Sequence, residues 1–255
     1  MKFETIYTIP VNDAFEVEGG CPICRLFARR EAELIDYYLG PSLMEADIRS
    51  ESNKYGFCHK HLTKMYSSRK NPLGFSLILN THLAELKKDL AIDDFRIDKR
   101  KFRFMSKSSN NSSSKMCDKL REKLDSCLIC QEIEKTVARY IDVIFYLYFS
   151  DQDFANRFRK NSEFCLEHFH LLLSKVDSSL SSAQRDIFIE DLLSILRKEL
   201  MELEVDTKYF SDKFDYRNKD LPWNNAKSAS LRTIDFLTSS DSGEPRYMDG
   251  EKKRN

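Results

Sequence analysis

Cys21-Pro22-Ile23-Cys24 and Cys58-His59-Lys60-His61 set three thiols and an imidazole in two short clusters, 33 residues apart. The same array returns as Cys127-Leu128-Ile129-Cys130 and Cys165-Leu166-Glu167-His168, with 34 residues between its halves. The first pair recurs at an offset of 106 and the second at 107, which reads as an internal duplication with one inserted residue. Three thiolates and one imidazole make a closed tetrahedral donor set for Zn²⁺. Residues three apart share a helix face, so one turn can offer both donors of a half-site. At the start of a helix such a pair gains from the positive end of the helix dipole, which favours thiolates and offsets a site charge of about −1. The array therefore reads as two zinc ions per chain. One is assigned to Cys21, Cys24, Cys58 and His61, the other to Cys127, Cys130, Cys165 and His168. Iron–sulfur ligation is the alternative for such thiolate sets. Buried reduced cysteines with core histidines would explain the residue types but not the spacing.

The elements that must hold these groups are helical. With 7 Gly and 6 Pro in 255 residues, the chain lacks the turn residues of an all-β or α/β fold. The expectation is an all-α protein with two pseudo-equivalent metal-stapled helical units related by an approximate two-fold. In the first copy a helix fits from Arg25, with Phe27, Leu34, Ile35 and Tyr38 on one face, and stops near Gly40-Pro41. A short return over Leu43 to Arg49 leads back to Cys58, and a helix from His61 ends before Asn71-Pro72. Leu79, Leu83, Leu86 and Leu90 then mark an amphipathic helix. The second copy shows a cleaner stripe at Ile133, Val137, Tyr140, Ile141, Ile144 and Tyr148. Asp151-Gln152-Asp153 starts its return helix, and Ile189, Leu193, Leu196, Leu200 and Leu203 form a closing one. Before Cys21, the stretch Tyr7 to Val11 reads as extended and packed across the first metal site.

These elements give residues 1–98 as a first repeat, 99–116 as a flexible linker and 117–205 as a second repeat. A C-terminal strap at 206–238 and a disordered tail at 239–255 complete the chain. Arg96, Lys99, Arg100, Lys101, Arg103 and Lys107, interleaved with Phe102 and Phe104, form a basic edge to the linker that could touch RNA or acidic protein. In the strap, Tyr216, Arg217 and Trp223 interleave polar and aromatic groups as a small anionic ligand would require, and the bland reading is a tail anchored by Trp223.

Formal charge is zero and no apolar run of ~18 residues occurs, so neither a membrane span nor a polyanion-seeking surface is indicated. The amino terminus lacks the apolar centre of a signal peptide, and seven cysteines in a reducing compartment read as ligands before disulfides. A cytoplasmic location follows. Cys117 stands outside the repeat. His59 and His170 sit at non-equivalent positions and read as surface residues, and His82 as a hydrogen-bonded packing residue. There is no nucleophile elbow, P-loop or dinucleotide fingerprint, and Glu190-Asp191 face apart on a helix, so no catalytic residue is assigned.

The duplicated CPxC and GFCxxH array, at Cys21 to Cys24 and Gly56-Phe57-Cys58 to His61, joins a terminal Tyr216-Arg217…Pro222-Trp223 segment. Together they resemble an uncharacterised prokaryotic domain-of-unknown-function family, the one numbered 6062, over almost the whole chain. The second copy departs at Leu128 for Pro and at Glu163-Phe164 for Gly-Phe, which bears on turn geometry. The resemblance implies the metal array and no activity. The favoured reading is thus a metal-stabilised interaction or scaffold module with a protein partner. A thiol redox protein using Cys21 and Cys24, or RNA binding through the linker, are its rivals.

Overall fold

The computed structural model describes residues 5–90, 111–161 and 163–240, and among these every regular element is helical. Two compact units are built from interleaved stretches of chain: Met1–Arg30 with Lys135–Asn255, and Glu31–Glu134. That grouping differs from consecutive repeats, because each unit draws on both copies of the array. The basic residues from Arg96 to Lys107 and the tail from residue 241 onward lie outside the described residues.

In the first unit, α1 (Thr5–Glu16) replaces the expected extended segment. Pro10 removes one helical hydrogen bond, yet Val11, Ala14 and Phe15 follow at helical spacing and are all buried, so packing overrides the local cost. Phe15 meets Phe154 of α8 (Gln152–Asn161) with ring centroids 4.9 Å apart. Phe158 extends the cluster to Tyr148, Phe164 and Phe188 at 5.1, 5.3 and 5.2 Å. Asp151 caps α8, its Oδ1 accepting from the N–H groups of Asp153 and Phe154 at 2.9 and 3.1 Å. α9 (Leu166–Ser179), α10 (Ser182–Asp212) and α11 (Ala229–Thr238) pack on one another.

The closing helix is longer than the sequence pattern indicated, and from Phe188 to Ile195 its buried face is turned by one residue, while Leu203 is buried as expected. Phe188, Leu192, Ile195 and Leu203 are buried, whereas Leu193 and Leu200 are exposed. This helix carries two adjacent apolar rows, and the bulk of Phe188, stacked into the aromatic cluster, decides which row turns inward. The stripe on α7 (Leu128–Ser150) is buried at all six expected positions.

In the second unit, α3 (Ala46–Tyr55), α4 (His59–Ser68), α5 (Pro72–Asp89) and α6 (Asn111–Leu124) join the distal part of α2 (Pro22–Leu39). Asn71 caps α5 by accepting from Gly74 N–H at 2.9 Å, with Pro72 at the first helical position where its missing N–H costs nothing. Ile78 is the buried apolar side chain of α5, and Leu83 of the expected stripe is exposed. Asn111 to Ser114, assigned to the linker on composition, form the first turn of α6. Ser and Asn disfavour helix interiors but are well suited to helix starts, so composition alone misplaces that boundary.

Candidate metal centres

Each Cys-x-x-Cys or Cys-x-x-His pair sits at a helix start. Cys21, Cys58, Cys127 and Cys165 immediately precede α2, α4, α7 and α9, and the second donor of each pair is the third helical residue. Extended backbone at Cys58 (φ −71°, ψ 166°) and Cys165 (φ −64°, ψ 158°) turns each sulfur toward the donor one turn later.

The pairs combine across the copies. Cys21 and Cys24 meet Cys165 and His168, while Cys58 and His61 meet Cys127 and Cys130, and within each group the four ligand atoms lie within 4.8 Å of one another. All eight expected ligands are thus brought together in two groups of three Cys and one His. The partition differs from the within-copy assignment, which took the nearest CxxH in sequence as the partner. The folded chain instead places each CxxC beside the CxxH 141 or 66 residues away.

In the first cluster Nδ1 of His168 lies 3.5, 3.3 and 3.1 Å from the sulfurs of Cys21, Cys24 and Cys165, and Cys24 and Cys165 are 3.8 Å apart. In the second, Nδ1 of His61 lies 3.2, 3.2 and 3.5 Å from Cys58, Cys127 and Cys130, and Cys58 and Cys130 are 3.9 Å apart. A tetrahedron with Zn–S of about 2.3 Å has S···S edges of roughly 3.8 Å. Both donor sets therefore fit one mononuclear ion. A multi-iron cluster inserts its own sulfides between the cysteines and holds them farther apart.

The surroundings of the two clusters differ. All four donors of the first are buried. The Phe27 ring lies 4.8 Å from that of His168, and Ser240 N–H donates to Cys24 Sγ at 3.5 Å. Without an ion, burial pushes the Cys21 thiol up to about 12, and hydrogen bonding with Cys165 takes Cys24 to about 12 as well. Neither is a ready thiolate until a cation replaces its proton.

At the second cluster, Nε2 of His61 donates to Oε1 of Glu31 at 3.0 Å, and Lys64 Nζ lies 2.6 Å from the other carboxylate oxygen. Glu31 is 7% exposed. Burial pushes the Glu31 carboxyl up, yet its bonds to His61 and Lys64 outweigh that and hold it at about 2. Burial likewise opposes charge on His61, but Cys127 and Glu31 raise its pKa to about 9; Cys127, against its own burial, is drawn down to about 6 by His61. A carboxylate on the outer nitrogen fixes ring orientation and makes the inner nitrogen a better donor. By the offset of 106, the position matching Glu31 is Val137, so the first cluster has no equivalent. Glu31→Gln is expected to weaken metal binding at the second cluster alone, by about 10–100-fold. Competitive chelator titration, with the first cluster as internal reference, measures it.

Glu31, His61 and Cys127 also form the line of a carboxylate-oriented imidazole on a thiol, as in nucleophilic catalysis. Two observations favour a metal centre. All three sulfurs surround the same nitrogen, and Cys127 is 4% exposed, which leaves no approach for a substrate.

The departures of the second copy acquire a reason from the crossed pairing. Leu128 N–H donates to Gly56 O at 3.1 Å, a bond that proline at 128 would abolish. Around the first cluster, Glu163 Oε2 accepts from Gly20 N–H at 2.7 Å. Gly56 has φ 65°, and a Cβ there would lie 2.6 Å from Cε1 of His82, whose Nδ1 donates to Asn53 O at 2.8 Å. His82 is thus the packing residue expected of it. Gly56→Ala is expected to destabilise the chain by about 1–3 kcal/mol through backbone strain and this collision. Thermal unfolding of the variant measures it, and His82→Ala should relieve the steric part.

Cys117 is exposed and joins neither cluster, and His59 and His170 are exposed. Tyr216 and Trp223 are 85% and 40% exposed. The Arg217 guanidinium pairs with Asp215 through contacts of 2.6, 3.0 and 3.1 Å, so it is already matched to a carboxylate. Trp223 packs on Phe210 at 5.6 Å, while Ala226, Ala229 and Phe236 are the strap's buried anchors. Neither chain end of the array could reveal the Glu31 contact, since a lone Glu on a helix carries no local signal of its partner.

No helix among the described residues is long and apolar enough to cross a membrane. No curated protein and no solved structure matches the chain. A family model does match, over residues 1–244, and the chain belongs to that family, described as a family of unknown function (DUF6062).

Proposed function

We propose that this is a zinc-binding helical protein in which two closed Cys3His centres stabilise an interaction or scaffold module, acting in the cytoplasm. The observation that supports it is the donor geometry: four protein ligands surround one point in each cluster, so no position is open to a substrate or activated water. All seven cysteines are free, as a thiolate-bound metal in a reducing compartment requires. Apolar side chains at the surface, such as Met201 and Val205 one turn apart on α10 at 61% and 65% exposure, favour a protein partner over a small substrate.

Protein purified without added metal is expected to carry about two zinc ions per chain by elemental analysis and native mass spectrometry. One ion per chain, or the visible absorption of an iron–sulfur cluster after anaerobic purification, would refute the reading. The redox rival loses support at Cys21 and Cys24, which are buried and whose thiols, with no ion bound, are pushed up to about 12.

A further inference from the structure

We propose that the cluster of Cys58, His61, Cys127 and Cys130 is a peroxide-sensitive modification site, at which Cys58 and Cys130 join as a disulfide and release their metal. This rests on the zinc reading and concerns one site of the two. Its ground is a difference in access. Every donor of the first cluster is buried, whereas Cys58 and Cys130 are only partly buried and their companions His61 and Cys127 are buried. Reactive cysteines combine thiolate character with exposure, and only this pair offers both once a metal is bound.

The geometry suits a bond between these two sulfurs. They lie 3.9 Å apart, and the chain segments that carry them are already tied, by Leu128 N–H to Gly56 O at 3.1 Å and Ser126 Oγ to Tyr55 O at 2.5 Å. Contraction to the disulfide length of about 2.05 Å is a movement of under ~2 Å. The first cluster also has a close S···S pair, Cys24 and Cys165 at 3.8 Å. There, however, both sulfurs are buried, and the Phe27 ring lies against the ring of the ligand His168. Proximity is shared by the two clusters, and access separates them.

The step balances with hydrogen peroxide as oxidant. One of the two thiolates attacks a peroxide oxygen, the O–O bond breaks, and hydroxide leaves with a sulfenic acid on that sulfur. The second thiolate attacks the sulfenic sulfur, the S–S bond forms, and a second hydroxide leaves; two electrons have passed from the two sulfurs to the peroxide, and solvent protons convert both hydroxides to water. Cys127 and His61 remain as two donors of four, too few to retain the ion. A dithiol reductant reverses the bond by exchange and restores the site. The pair lies across two half-sites and differs from a redox pair within one Cys-x-x-Cys.

The test uses the full chain with Cys117→Ser, which removes the exposed thiol outside both clusters, loaded with zinc and treated with dilute hydrogen peroxide in the presence of a chromogenic zinc indicator. Release is expected to level off at one of two ions, with peptide mapping placing the disulfide between Cys58 and Cys130 and reduction restoring uptake of one ion. Release of both ions at similar rates, earlier release from the cluster of Cys21, or a disulfide between other cysteines would overturn the proposal. As a second measurement, the Cys58→Ser/Cys130→Ser form is expected to hold one ion and to lose none to the same treatment. Protein that carries no zinc before peroxide would count against the zinc reading itself, so the two failures are distinct.

Discussion

Serine at both Cys21 and Cys24 is expected to leave one zinc ion per chain, and adding His168→Ala to that pair is expected to leave the count at one. Adding His61→Ala instead is expected to bring it to zero. The asymmetry follows from the crossed pairing, in which Cys21, Cys24 and His168 share one centre and His61 belongs to the other. Pairing within each copy predicts the reverse: zero for the His168 combination and one for the His61 combination. Native mass spectrometry reads the count directly. The serine pair removes two of four donors from one centre and His61→Ala one of four from the other, and each loss should empty its site, since a structural zinc needs its complete set. The reversed counts, zero with His168→Ala and one with His61→Ala, would overturn the crossed assignment.

Chelation is expected to produce a cooperative loss of helix, because a centre that binds only the folded chain adds its binding free energy to folding, roughly 10–16 kcal/mol apparent for structural zinc peptides. That is comparable to the whole stability of an ordinary domain, about 5–15 kcal/mol. The crossed arrangement strengthens the expectation. Cys24 and Cys165 are 141 residues apart and Cys58 and Cys130 are 72 apart, so each ion closes a long loop that the free chain would hold open at an entropic cost. Each cluster also lies wholly within one compact unit, the first among residues up to 30 and from 135, the second within 31–134. His61→Ala is therefore expected to loosen the second unit and His168→Ala the first. Far-ultraviolet circular dichroism before and after chelator, with a thiol titration alongside, checks both points. Helix retained without metal, with Cys21 and Cys24 freely reactive, would sink the structural-zinc reading.

The residues that gather in the two clusters, the helical class and the place of most helix starts were legible in the sequence because they are local. Cys-x-x-Cys and Cys-x-x-His need only one turn of helix to present two donors, and the stripe from Ile133 to Tyr148 needs only a 3.6-residue period. Where two local solutions were nearly equal, tertiary packing chose. On α10 it turned Phe188 and Leu192 inward in place of Leu193, and in α1 it carried a helix through Pro10 because Val11 and Phe15 find a core. Which half-sites join is not a local property at all. Cys21 and Cys24 have chemically equivalent partners in Cys58 with His61 and Cys165 with His168, and both are long loops away, so spacing cannot rank them. The fold ranks them by which helix starts it brings face to face. The same holds for Glu31 on His61, and for the cover that Phe27 and Ser240 place on one centre while Cys58 and Cys130 of the other stay within reach of solvent.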